Sequence, residues 1–398
     1  QHAPPGDAAA FGDRRPDAPW MRAPFQLALR AVYLGLFAVL PAWILADLAL
    51  GGYEHGSVPF DLRIFLRAAH EVVSGRSPYP GAELGSDTSF VYPPLLGFLV
   101  WPFSALPTGS AVLLWTLLSA ACVVAALRLL GVTDWRCYGI ALLWPPTRAA
   151  IALGTIGPVL LLGVAVAWRY RDRLPLVAAA AAGVAITLKL FLWTLVVWLA
   201  VTRRFRAALV AAVVAVTLTG ACWAAISFEG LGDYPSLLRR LSDLESAESY
   251  SPYAAARAAA LAIGLPTALA WPAAIAVGIV LLGAAIYTAH RRAGDREQRD
   301  RISLTFALAA ALALSPLVWV HYFLLLLVPV ALARPRFGPL WLLPLAIYAL
   351  RPSGWTLHSW AGARTLWLAV VLGVLALVVV EALRVQMTRA ARPGRAGH

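Results

Sequence analysis

Lysine is almost absent from this chain: Lys189 stands alone among 33 Lys and Arg residues. Cysteine is scarce too. Cys122, Cys137 and Cys222 lie in or beside apolar stretches without metal-ligand spacing, which excludes a disulfide framework and a zinc site. Acids number 20, so the formal charge is +13. Such an excess can mark a nucleic-acid binder, but no basic patch here carries interleaved aromatics outside the apolar runs, so no nucleic acid is expected. Long polar stretches are also few. The 398 residues are 61% hydrophobic, with a mean hydropathy of +0.73. That composition belongs to an all-α polytopic membrane protein, whose basic excess sits in cytoplasmic loops held against membrane lipids.

Apolar runs recur from residue 27 to residue 384, separated by Arg clusters or Pro/Gly breaks. Residues 1–26 read as a disordered cytoplasmic N-terminus and 385–398 as a basic cytoplasmic tail. The first run, Leu27 to Leu50, is too long for the apolar core of a signal peptide. Between these ends lies one transmembrane domain, 27–384, with roughly 9 to 12 spans. Full crossings are expected at 27–50, 206–228, 266–289 and 360–384. The runs 174–202 and 302–333 each begin and end beside Arg clusters and suit neither one span nor two. Each reads as a broken helical hairpin, interrupted near Lys189 and near Ser315-Pro316, a geometry tolerated where it lines a cavity. The layout between 90 and 168 stays open because Pro93-Pro94, Pro102, Pro107 and Pro145-Pro146 allow several arrangements. Two acid-richer segments, 51–89 and 229–255, read as external loops.

Within the first of these loops, residues 60–74 have helical periodicity. Arg63, Arg67, His70, Glu71 and Ser74 share one face. Phe60, Ile64, Phe65, Ala68, Ala69, Val72 and Val73 form the other, with Asp61 in its midst. Two roles suit Asp61: a helix N-cap, or a general base near the membrane surface. Lys189, in Ala185-Ile-Thr-Leu-Lys-Leu-Phe-Leu-Trp193, suits either a phosphate-binding cation or a snorkelling helix end. His321 is a buried structural residue or a polar site residue, and Trp319 and Tyr322 beside it could stack on a sugar. Tyr79 and Tyr92 are interface anchors or site residues. Arg351 reads as an external cation able to reach a phosphate.

The order of these motifs is distinctive. Asp61 comes first, then Ser74-Gly-Arg-Ser-Pro-Tyr79 and Tyr92-Pro-Pro-Leu95. The Lys189 run follows with Arg203-Arg-Phe-Arg206, and last comes Ser315-Pro-Leu-Val-Trp-Val-His-Tyr322. Over roughly residues 27–384 this resembles the GT-C glycosyltransferases of family 87, which includes actinobacterial mannosyltransferases using polyprenyl-phosphate-mannose. The resemblance implies a GT-C-like fold and an inverting transferase. Its donor is a polyprenyl-phosphate sugar, first mannose with arabinofuranose as the rival. Its acceptor is a glycolipid or envelope glycan outside the cell membrane. Asp61 matches the family's base, and Lys189, Trp319, His321 and Tyr322 match its later motifs. With a phosphate leaving group no general acid is needed, and no cofactor or metal is implied. His321 is then a second polar candidate. Lys189, Arg63, Arg67 and Arg351 are candidates for the donor phosphate, and Tyr92, Trp319, Tyr322 and Tyr79 for sugar and acceptor. The chain departs from the family at Gly154-Thr-Ile-Gly-Pro158, where relatives often carry a Gly-Gln-x-Asn-like signature. The reading from another class is a transporter of lipid-linked sugars, but its expected inverted repeats and paired midplane charges are missing from the sequence.

Overall fold

A computed structural model of the protein describes residues 19–55, 58–79, 90–291 and 295–346, with short stretches between 372 and 388. Among them every regular element is helical. The helix α1 (Pro19–Leu34) passes through a π-helical turn, Gly35–Val39, into α2 (Leu40–His55). The amphipathic helix α3 (Phe60–Val73) follows at the position the periodicity predicts. It buries Leu62, Ile64, Phe65, Ala68, Ala69 and Val72, whereas Val73 is exposed.

The prolines that left residues 90–168 open prove mostly to be helix starts, where a missing N–H costs nothing. This segment forms α4 (Leu95–Ser104), α5 (Thr108–Leu129), α6 (Trp135–Leu143), α7 (Pro145–Leu153) and α8 (Gly157–Tyr170). Pro102 alone lies inside a helix. The chain continues as α9 (Pro175–Leu188), α10 (Thr194–Val201), α11 (Phe205–Ala225), α12 (Tyr234–Leu244), α13 (Pro252–Ala262), α14 (Ala270–His290), α15 (Arg296–Leu314) and α16 (Leu327–Ala333).

Four described segments are long and apolar enough to cross a membrane: Gln26–Gly51, Thr108–Leu129, Phe205–Ala225 and Thr267–His290. Three coincide with expected crossings, and Thr108–Leu129 is one the sequence left open. The expected crossing at 360–384 lies largely outside the described residues. The outer faces of these helices are apolar and exposed, as at Val216 (73%) and Val280 (69%), which suits lipid contact. The segment 229–255, expected as an external loop, carries α12 and the start of α13. Tyr234, Leu237 and Leu241 are buried at helical spacing along α12, a stripe only about two turns long.

Both broken hairpins form. Helix α9 ends at Leu188, Lys189 is extended (φ −152°, ψ 106°), and a 3-10 turn Leu190–Trp193 leads into α10. Helix α15 ends at Leu314. Ser315 and Trp319 are extended, and a 3-10 segment Val320–Leu326 returns into α16. The open ends of the two hairpins meet in a charged knot. Asp300 of α15, 4% exposed, accepts from Arg204 at 2.6 Å and from Arg171 at 3.4 Å, and Arg204 also grips Asp172 at 2.8 Å. Helices α9 and α11 approach closely at Gly183, where a Cβ would stand 2.8 Å from the Ala211 carbonyl oxygen.

Candidate active site

The tips of both hairpins meet the first turn of α3. Pro59 occupies the cap position of α3 and Asp61 is its second residue, in the first turn. Asp61 is therefore not the helix cap, and its carboxylate is turned to tertiary partners. The turn between α7 and α8 supports it from below. Gly154, at φ +70°, would place a Cβ 2.8 Å from that of Leu62 and 3.0 Å from that of Pro59. Trp115 Nε1 donates to the Gly154 carbonyl at 2.9 Å and fixes the turn.

Lys189 comes from the first hairpin. Its Nζ donates to the Tyr92 hydroxyl at 3.1 Å. It lies 4.0 Å from the Tyr322 ring centroid, 4.3 Å from Tyr92 and 5.9 Å from Trp319, an aromatic box that holds a cation. The Tyr92 side chain also acts on Asp61, so one phenol stands between the carboxylate and the Lys189 ammonium. Burial pushes the Asp61 carboxyl up to about 6, against the opposing pull of the Lys189 charge and the Tyr92 hydrogen bond. A carboxylate of that basicity is ionised at neutral pH and still able to take a proton.

Tyr79 lies behind this layer. It stacks on Trp223 at 5.1 Å, and its hydroxyl donates to the Tyr92 carbonyl, holding that residue in place. Trp319 is positioned by buried serines that carried no signal in the sequence. Ser249 Oγ accepts from the Val318 amide at 3.1 Å, and Ser251 Oγ donates to the Pro316 carbonyl at 2.7 Å. Tyr322 is flanked by Phe191, parallel at 5.4 Å, another residue the sequence did not single out. His321 is 4% exposed, and neither ring nitrogen has a hydrogen-bond partner among the described residues. It lines a narrow cleft with Lys189, Phe191 and Thr155. Thr155 belongs to the Gly154–Pro158 turn where the chain departs from its resemblance.

The structure thus brings together Asp61, Tyr92, Lys189, Trp319, His321 and Tyr322, with Tyr79 behind them. Arg63 and Arg67 lie on the exposed face of α3, outside this cluster, with the Arg63 guanidinium over Phe60 at 5.7 Å. Arg351 falls outside the described residues. No group of three His, Cys, Asp or Glu residues among the described ones could hold a metal ion.

The acid, the boxed ammonium and the clustered aromatic faces lie inside an all-helical membrane fold, and the match to a family model makes the class a membrane glycosyltransferase. More particularly, the chain belongs to glycosyltransferase family 87, whose model matches residues 90–318. The matched span contains Tyr92 and Lys189. Asp61 precedes it, and Trp319 follows directly after its end. No curated protein and no solved structure matches the chain.

Proposed function

We propose that the protein transfers a sugar, mannose in the first instance, from a polyprenyl-phosphate donor to a glycolipid or envelope-glycan acceptor, with inversion. The observation that carries this reading is the convergence of Asp61 and Lys189 on the Tyr92 hydroxyl, from segments distant in sequence. Asp61 takes the proton from the acceptor hydroxyl as its oxygen attacks the anomeric carbon. The bond from that carbon to the phosphate oxygen breaks, and the phosphate leaves with the electron pair toward Lys189. A phosphate needs no proton to leave, so a single carboxylate suffices, unlike the pair a glycosidase requires. Trp319, only partly buried, offers a face for the sugar ring, and Tyr322 holds Lys189 beside it. Leu190 and Trp193, both exposed just beyond Lys189, give the polyprenyl chain an apolar flank. The extracytoplasmic position of the site is part of the proposal and rests on the Arg clusters at the open ends of the hairpins.

The test is Asp61→Asn, purified and shown to be folded, assayed with a panel of polyprenyl-phosphate sugars including mannose and arabinofuranose. Loss of roughly 10²–10⁴-fold in transfer is expected for a missing general base. Transfer at the wild-type rate would remove Asp61 from the chemistry. Preference for arabinofuranose over mannose would reassign the donor and leave the mechanism intact.

A further inference from the structure

At the far end of the 14-residue helix α8 from the Lys189 cluster, about 20 Å along that helix, the bundle has a second, half-open pocket. Its volume is ≈ 470 Å³, the size of a small-molecule site. Arg128, Arg169, Arg171, Arg173 and Arg301 line it. The acids on its wall are already engaged. Asp172 is held by Arg204 at 2.8 Å, and Glu297 is paired with Arg301. Arg171 is likewise occupied, by Asp300 and by the face of Trp168 at 3.6 Å. Among the described residues, Arg128, Arg169 and Arg173 have no carboxylate partner, and the buried Arg301 Nε has no hydrogen-bond acceptor.

The rim is built rather than loose. The Thr133 amide donates to the Pro335 carbonyl at 3.2 Å, and the Phe337 amide donates to Asp134 at 3.1 Å. The opposite wall is apolar, with Leu129, Ala331 and Leu332.

Arg128, Arg169 and Arg173 are exposed at the mouth of this pocket, and guanidinium groups gathered there without carboxylates repel one another unless an anion joins them. Planar, permanently charged forks of this kind match phosphate oxygens, often two bonds at a time. We infer that this pocket is a binding site for a phosphate group, with Arg128, Arg169 and Arg173 as its ligands. The group belongs either to an anionic phospholipid, whose glycerol end would lie on the apolar wall, or to a soluble phosphate compound.

The experiment uses the full-length protein in phosphatidylcholine nanodiscs and in detergent. Native mass spectrometry with short-chain phosphatidylglycerol reads the lipid source, and a thermal-shift titration with inorganic pyrophosphate reads the soluble one. Arg128→Gln, Arg169→Gln and Arg173→Gln are made singly and together. Arg203→Gln with Arg206→Gln and Arg336→Gln, exposed residues that do not line the cavity, form the control. Saturable binding of one probe is expected, weakened roughly tenfold by each single change in the cavity and unaffected in the control. The probe that binds identifies the source. Equal loss in cavity and control variants would reduce the effect to general surface charge and overturn the site, as would failure of both probes to bind. Should the combined variant not fold, the single changes Arg128→Gln and Arg173→Gln, at exposed positions, decide the matter.

Discussion

Gly154→Ala probes how tightly the first turn of α3 is set. At φ +70° an alanine costs roughly 1–2 kcal/mol in backbone strain. Its Cβ would also stand 2.8 Å from the Leu62 Cβ, where carbon atoms settle about 3.5–4.0 Å apart. The first turn of α3 must therefore retreat by about 1 Å, carrying Asp61 with it. A misplacement of that size can cost about 10²-fold in rate. Gly75→Ala, just beyond the C-terminal cap of α3, is the matched control: it too has a φ of +70°, with open space around the new methyl. Both variants should lose comparable backbone stability, read by thermal denaturation in detergent. Only Gly154→Ala should lose kcat, by about a hundredfold, in sugar transfer from a polyprenyl-phosphate donor. Its KM for the donor should change little, since Lys189 and Tyr322 stand on other elements. A folded Gly154→Ala enzyme with the kcat of Gly75→Ala would refute the claim that this contact positions the carboxylate.

The pH–rate profile should rise through about 6 as Asp61 ionises, and Lys189→Met should move that limb to higher pH because the charge favouring the carboxylate is lost. An unmoved limb would show that another group titrates. Folding binds a proton to Asp61 more tightly than the unfolded chain does, so its contribution to stability falls as pH rises from about 4 to about 6 and stays lost above. Asp61→Asn should therefore raise the melting temperature at pH 7, with at most about 3 kcal/mol available, even as transfer falls; a lower melting temperature would contradict the buried-acid description. Asp300→Asn should destabilise the protein by several kcal/mol, about 3–5 in comparable buried pairs, because Arg204 and Arg171 lose their common partner. A melting curve superimposable on wild type would remove the charged knot from the fold's supports.

How much of this was legible in the sequence depended on the length over which a pattern repeats. The amphipathic face of α3 spans several turns, so its limits and the anomaly of Asp61 could both be read. The hairpin breaks at Lys189 and Ser315-Pro316 were visible because a run bounded by arginines on both sides had the wrong length for a crossing. The span Thr108–Leu129 was hidden by flanking prolines, which mark a helix start as readily as a break. Helix α12 was hidden because its apolar stripe repeats over only about two turns. Arg63 and Arg67 shared a helix with Asp61 but lie on its exposed face, as the same periodicity dictates. Ser249, Ser251 and Phe191 act through contacts between segments far apart in the chain, and no local pattern announces such contacts.

The re-entrant course of the hairpins bears on biogenesis. Each leaves the arginine-rich end and comes back to it, so neither is a stop-transfer segment that could lodge in the bilayer alone. The lone ammonium of Lys189 would be carried into an apolar setting with no counter-charge of its own hairpin. Asp61 reaches it from a different segment, after the first crossing is in place. On the proposed function, assembly of the site is thus a late docking event between separate segments, and a chain that ends before the second hairpin lacks Trp319 and Tyr322.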